Sequence, residues 1–151
     1  MKRPVQIVAF LALCLLVTGC LTPVKNQMPL ACVSDWARPA GTNDTKLVIF
    51  NTSDYLAYGL DGSGRINVRL DGRGVGQINL RRYAQLIIPK GAYDVELVHL
   101  DMGTFTSHHQ IELTEPESYL QIFATPTSNR AFLVSHLPPD FAGKFRPIPQ
   151  P

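Results

Sequence analysis

Four histidines and two nearby carboxylates are the side chains of this sequence that could bind a metal or transfer protons. They are Asp94, Glu96, His99, His108, His109 and His136. A zinc site needs three or four ligands at roughly 2.0–2.3 Å from the ion, and paired carboxylates can hydrolyse glycosides across a cleft. Asp94 and Glu96 fall at alternate positions of one predicted strand, about 7 Å apart, which favours a solvated sheet face over an active site.

The orientation of the histidines follows from a predicted hairpin. Apolar residues alternate with polar ones in the segment 93–97, and Phe105, Ile111 and Leu113 fall on one face of the segment 105–113. If these apolar residues share one face, the two residue numbers of each cross-strand pair must add up to an even number. The simplest loop that gives this register consists of residues 101–103. This register leaves Val98 and Leu100 pointing away from the core, which a bulge or a covering segment would have to explain.

In this register the hairpin separates its histidines. His99 lies opposite Phe105, and His109 shares that face about 13 Å further along the strand, while His108 points to the other face. We therefore expect surface or half-buried histidines, and no metal or other cofactor. A small-ligand or metal site that uses His99, His109 and Glu96 is the weaker alternative.

Glycines and arginines offer two further candidates for binding. The stretch 72–76 is rich in glycine, but Gln77 occupies the last position of a dinucleotide fingerprint and a strand follows, so we expect a turn. Four arginines could form a basic edge, although charged edges also protect sheets from unwanted pairing. They are Arg65, Arg69, Arg81 and Arg82.

The cysteine at position 20 is the residue whose chemistry the sequence specifies best. Leu16-Val17-Thr18-Gly19-Cys20 closely resembles the bacterial lipobox, in which small residues precede a cysteine whose thiol takes up diacylglycerol. Two basic residues near the start come before it, followed by a run of 13 residues, 5–17, that is apolar except for Gln6. As a helix that run spans about 20 Å, short of the roughly 30 Å hydrocarbon core. We predict that residues 1–19 are a cleaved signal peptide and that Cys20 is lipidated.

Lipidation would place the mature chain in the bacterial cell envelope. Leu21, rather than aspartate, follows Cys20, which is typical of outer-membrane sorting in enteric bacteria, so we expect the protein at the outer membrane, facing the periplasm. Removing Lys2 and Arg3 from the 14 basic residues leaves 12, equal to the 12 acidic ones. A near-neutral chain favours neither nucleic acid nor an anionic membrane surface as a partner.

Lipidation and signal-peptide cleavage together account for two of the three cysteines. Cys14 leaves with the signal peptide and Cys20 carries the lipid, so Cys32 is the remaining thiol and no internal disulfide is expected. A thiol packed as a small apolar group and a functional thiol both remain open for Cys32.

The mature chain divides into three parts. Residues 20–45 read as a lipidated tether, 46–137 as a β-domain, and 138–151 as an extended tail. The tail contains five prolines, which predicts that it forms neither a helix nor a central strand. Between the ends, about eight short strands recur at roughly ten-residue spacing without helical periodicity. This pattern predicts an all-β fold, a single small immunoglobulin-like or transthyretin-like β-sandwich of seven to eight antiparallel strands.

Part of the domain resembles a known family. From Leu47 to about Leu97 the chain carries a strand, the pattern V-x-x-D-G-x-x-V-G at 68–76, then Tyr83 and the turn Pro89-Lys90-Gly91. This resembles a domain-of-unknown-function family of small bacterial lipoproteins, in which the turn usually reads P-P-G. The resemblance implies an immunoglobulin-like or carboxypeptidase-regulatory-like β-sandwich and no catalytic residues.

These observations favour a non-enzymatic module that binds or supports another envelope component. The expected contact surfaces are the loop 51–64 with Tyr55 and Tyr58, the hairpin tip 71–76 with Arg73, and the proline-rich tail. Aromatic side chains on loops favour protein contact over catalysis. A small-ligand or metal-binding periplasmic domain is the alternative, followed by an enzyme that acts on cell-wall material.

Overall fold

A computed structural model describes residues 41–54, 64–100, 104–125 and 127–148 of the 151-residue chain. Cys20, Cys32, Tyr55 and Tyr58 lie outside these ranges, as does the loop 101–103. The described residues form nine strands and one helical turn. They are β1 (Asp44–Asn51), β2 (Ile66–Leu70), β3 (Arg73–Ile78), β4 (Arg82–Pro89), β5 (Gly91–Leu100), β6 (Thr104–Leu113), β7 (Glu117–Thr125), β8 (Ser128–Val134), α1 (Phe141–Lys144) and β9 (Arg146–Pro147).

The strands form two sheets that pack face to face, which confirms the predicted all-β sandwich. The five-stranded sheet has the order β8-β7-β1-β4-β9, and the four-stranded sheet has the order β3-β2-β5-β6. The four-stranded sheet is antiparallel throughout. In the five-stranded sheet, however, β1 pairs with β7 and β4 pairs with β9 in parallel, so that sheet is mixed rather than purely antiparallel.

The core lies between the sheets and is built from alternate residues of their strands. Leu47 and Ile49 of β1 face Val95 and Leu97 of the opposite sheet within one buried apolar cluster. β1 nevertheless reads as an unbroken apolar run, because Phe50 on its other face is also fully buried. A strand buried on both faces loses the alternation that marks a half-exposed strand.

The predicted turn at Asp71-Gly72 connects β2 to β3. Both residues have positive φ, 48° and 74°, which suits the tight two-residue hairpin that Asp-Gly favours. The Asp71 side chain holds the turn against β5, because its Oδ1 accepts a hydrogen bond of 2.8 Å from the Asp94 amide. The register shifts between Val68 and Arg69, and Val75 is the extra residue of the bulge.

The β5–β6 hairpin has the predicted register. Gly91 pairs with Leu113 and His99 pairs with Phe105, so paired positions sum to an even number, as the apolar alternation requires. Val98 faces away from the core, between Asn67 and Thr106 on the neighbouring strands, yet it is only 7% exposed.

The C-terminal segment packs onto the domain, and one expectation about it is wrong. Residues 141–144 form a helical turn although the segment is rich in proline, because no proline lies between Pro139 and Pro147. Phe141 and Phe145 stack on each other, with ring centroids 4.7 Å apart, and each meets the ring of Phe50 edge-on at 5.6 Å. The chain then adds β9 beside β4 and buries Ile148 in the core.

Candidate functional site

His99 is buried, which corrects the expectation that the histidines are exposed or half-buried. It is 1% exposed, and its ring stacks on Phe105 with centroids 5.3 Å apart. The reason is its register: His99 continues the core-facing row of Val95 and Leu97. Asn129 of β8 also packs against this end of β5, where it bonds the Leu97 carbonyl. The same register places His108 on the opposite, solvated face.

Polar side chains cover the outer face of the four-stranded sheet. Asp94 bonds two residues of β6 at once: its Oδ2 lies 2.8 Å from His108 Nδ1, and its Oδ1 accepts a bond of 3.1 Å from Gln110 Nε2. Next to this group, Arg69 Nη1 donates to Glu96 Oε1 at 2.7 Å. The two carboxylates therefore bind separate partners on the outer sheet face rather than facing each other across a cleft.

The bond from Asp94 raises the pKa of the exposed His108 above its ordinary value of 6.5. Because the pKa is raised in the folded state, the small stabilisation from this pair is complete below pH 6.5 and is lost as the pH rises through the higher folded value. We expect Asp94→Asn to return the pKa of His108 towards 6.5, measured from the imidazole proton shifts in an NMR titration. An unchanged titration curve in the Asn variant would show that the pair does not form in solution.

His109 lies at the corner between the two sheets. Burial lowers its pKa, and a hydrogen bond with the Asn129 backbone on β8 opposes that shift. Its Nε2 also lies 3.0 Å from Ser107 Oγ. Glu96, which points to the outer face, is not brought together with His99 and His109. Among the described residues, no group of three or more histidine, cysteine, aspartate or glutamate side chains could hold a metal ion.

Arg73 is exposed at the tip of the β2–β3 hairpin, as the predicted contact surface requires. The other arginines do not form one basic edge. Arg69 pairs with Glu96 on the outer face, whereas Arg82 Nη1 donates to the Pro147 carbonyl at 3.3 Å, at the opposite sheet.

The β8 strand carries an exposed surface that was not predicted from the sequence. Phe132 is 51% exposed and Leu133 is 41% exposed, and they are the exposed large hydrophobic residues of the described part of the chain. Phe132 lies on the outer face of the five-stranded sheet, with its ring centroid 6.0 Å from that of Phe123. We name the exposed residues Arg130, Phe132 and Leu133, together with the half-exposed Val134, the β8 patch.

β8 is also an edge strand, and the other three edges are protected in ways that β8 is not. β9 has two residues, one of them a proline, and β3 contains a bulge. β6 exposes polar side chains only, at Thr104, Thr106, His108, Gln110 and Glu112. Short strands, prolines, bulges and polar side chains all discourage pairing with another chain. The β8 patch has one charged residue, Arg130, and three apolar ones.

Asn129, near the start of β8, ties this strand to the neighbouring sheet. Asn129 is fully buried, and its Nδ2 donates to the carbonyls of Leu97 and Phe105, both at 3.1 Å. These bonds close the corner of the sandwich at Asn129. Beyond that point, in the described part of the chain, no strand pairs with the outer edge of β8.

A groove with acidic walls adjoins the C-terminal end of β8. Its volume is about 150 Å³, and its lining includes Glu112, Glu115, Glu117, Tyr119, Leu133 and Val134. Glu117 is bound by Lys46 at 2.8 Å, and that bond holds the pKa of its carboxyl below the usual value. A second cavity of about 380 Å³ lies between the C-terminal segment and the outer face of the five-stranded sheet, beside Phe50, Gln121 and His136.

The chain matches no family model, no curated protein sequence and no solved structure. None of the helical residues that the structure describes belongs to a segment long and apolar enough to cross a membrane.

Proposed function

We propose that this protein is a lipid-anchored lipoprotein of the bacterial envelope, held at the outer membrane through Cys20. In this proposal the β-sandwich is a non-enzymatic module that binds or supports another envelope protein. The lipobox sequence around Cys20 supports the anchor. The observation that carries the binding role is the β8 patch, in which two large apolar side chains stand exposed on an edge strand.

The comparison with Phe50 explains why this exposure is informative. Phe50 and Phe132 both lie on the outer face of the five-stranded sheet, and the chain covers Phe50 with Phe141 and Phe145. No described segment covers Phe132 at the β8 end of the same face. Aromatic side chains are enriched at the centres of protein interfaces, so a half-exposed phenylalanine on this face is a candidate contact residue.

The hairpin tip provides a second contact surface in this proposal. Asp71 and Gly72 hold the turn in a defined conformation, and Asp71 is fastened to the Asp94 amide. Arg73 therefore extends from a structured turn, so binding there does not have to order the backbone of the turn. The loop with Tyr55 and Tyr58 remains a predicted contact surface outside the described residues.

A photo-crosslinking amino acid placed in the full chain, in the membranes of the bacterium, tests this proposal. At position 132 or 73 we expect crosslinked products larger than the single chain, because these side chains would lie inside a contact. Gln85 is the matched control, since it is exposed on β4 of the same sheet. If neither position gives more product than position 85, the binding role is wrong.

A further inference from the structure

We infer that the β8 patch binds a second copy of this chain, through antiparallel pairing of the two β8 strands about a two-fold axis. The inference rests on the proposed function in one respect, that the β8 patch is a contact surface. It goes further by naming the partner and the geometry of the contact.

The main chain of β8 provides the first part of the argument. An edge strand presents unpaired N–H and C=O groups that another strand can bond. Asn129 ties the beginning of β8 to the opposite sheet, and no described strand pairs with the outer edge of β8 along the residues that follow, 130–134. Pairing there would join two five-stranded sheets into one continuous sheet, as in many symmetric dimers.

The charges around β8 identify a second copy as the occupant. Arg130 lies towards the start of the strand, and the acidic groove lies at its end, beside Leu133 and Val134. In an antiparallel pair about a two-fold axis, the start of each strand meets the end of the other. Arg130 of each copy therefore approaches the acidic groove of its partner, and both contacts form at once.

Two glutamates of the acidic groove are available for this contact. Glu117 is already bound to Lys46, whereas Glu112 and Glu115 have no ion-pair partner within the described residues, and neither does Arg130. Any other extended peptide would need a cation and an anion at the two matching ends. A second copy provides both, because Arg130 lies near the start of β8 and the acidic groove lies at its end.

The apolar residues lie between these charges, at the centre of the proposed contact. Around a two-fold axis near Phe132, its ring packs against the same apolar row of the other copy, on the outer face of the joined sheet. Leu133 does so on the opposite face. Burial of aromatic and aliphatic side chains at the centre, with charges at the rim, is the usual anatomy of a stable interface.

Two differently tagged copies of the full chain, expressed together and solubilised from membranes, test the inference. Capture of one tag is expected to recover the other. Phe132→Asp in both copies should lower this recovery about tenfold or more, because a central apolar anchor becomes a repelling pair of charges. Gln85→Asp is the matched control and should leave recovery unchanged, and equal thermal midpoints would show that both variants fold.

A charge exchange tests the antiparallel geometry itself. Arg130→Glu alone and Glu115→Arg alone should each lower recovery, since each places like charges together, whereas the double variant should restore it. Failure of wild-type copies to recover each other, equal recovery from Phe132→Asp and Gln85→Asp, or no restoration in the double variant would overturn the inference. If a crosslinker at position 132 then captured a different protein, the proposed binding role would stand; if it captured nothing, both would fall.

Discussion

Replacement of Cys20 by alanine is expected to abolish lipidation and move the protein from the membrane fraction to the soluble fraction. No other residue type at this position can form the thioether to diacylglycerol. Each buried CH₂ of an acyl chain contributes about 0.8 kcal/mol, so two or three chains hold a protein of this size almost permanently. Without them, the proposed anchor is gone. The readouts are incorporation of an alkyne-labelled fatty acid and sedimentation with membranes.

Cys32→Ala is the matched control for this experiment, because it removes the other cysteine expected in the mature chain. It should keep both the label and the membrane location. A Cys20→Ala chain that still incorporates the label, or still sediments with membranes, would mean that a different feature holds the protein. An unmodified Cys20 on a full-length wild-type chain would contradict the signal-peptide assignment as well.

Asn51→Ala is expected to destabilise the domain by about 3–5 kcal/mol, because several buried polar groups lose their partners together. Asn51 is fully buried at the end of β1. Its Nδ2 donates to the carbonyls of Gly64 and Ile78 at 2.8 and 2.9 Å. Its Oδ1 accepts from the Ser53 amide and hydroxyl at 3.0 and 2.6 Å. The Ala124 amide in turn donates to Ser53 Oγ, so one side chain links segments of both sheets.

Urea unfolding, followed by circular dichroism, measures this effect. Asn79→Ala is the control, since Asn79 is exposed, and its cost should stay within about 0.5 kcal/mol. Asn51→Asp should also be strongly destabilising, because it keeps the acceptor for Ser53 but places a carboxylate against the Gly64 and Ile78 carbonyls. A loss in Asn51→Ala no greater than that in Asn79→Ala would show that this network contributes little to the stability of the domain.

Local patterns in the sequence were enough to predict several features of the fold. Alternation of apolar and polar residues predicted an all-β domain, and the Asp71-Gly72 pair predicted the β2–β3 turn. Because the apolar residues of both hairpin strands have odd numbers, the sequence predicted that His99 lies opposite Phe105. These features depend on residues close together in the chain, because a one-residue change of register would turn every side chain of a strand to the other face.

Features that depend on distant segments could not be predicted in the same way. The burial of Asn51 and His99, the parallel pairing of β1 with β7, and the exposure of Phe132 all require the order of the strands in the sheets. Nothing in the sequence of β8 distinguishes it from a strand inside a sheet. Its position at the edge follows only from the pairing of the strands.

The amino-acid sequence by itself therefore determined the expected anchor at Cys20, the strand content and the local registers, since each follows from nearby residues. The tertiary structure decided which apolar residues became core and which became surface. Phe50 is covered because Phe141 and Phe145, more than 90 positions further along the chain, fold back over it. Phe132 stays exposed because β8 ends its sheet, and only the association of whole strands determines where a sheet ends.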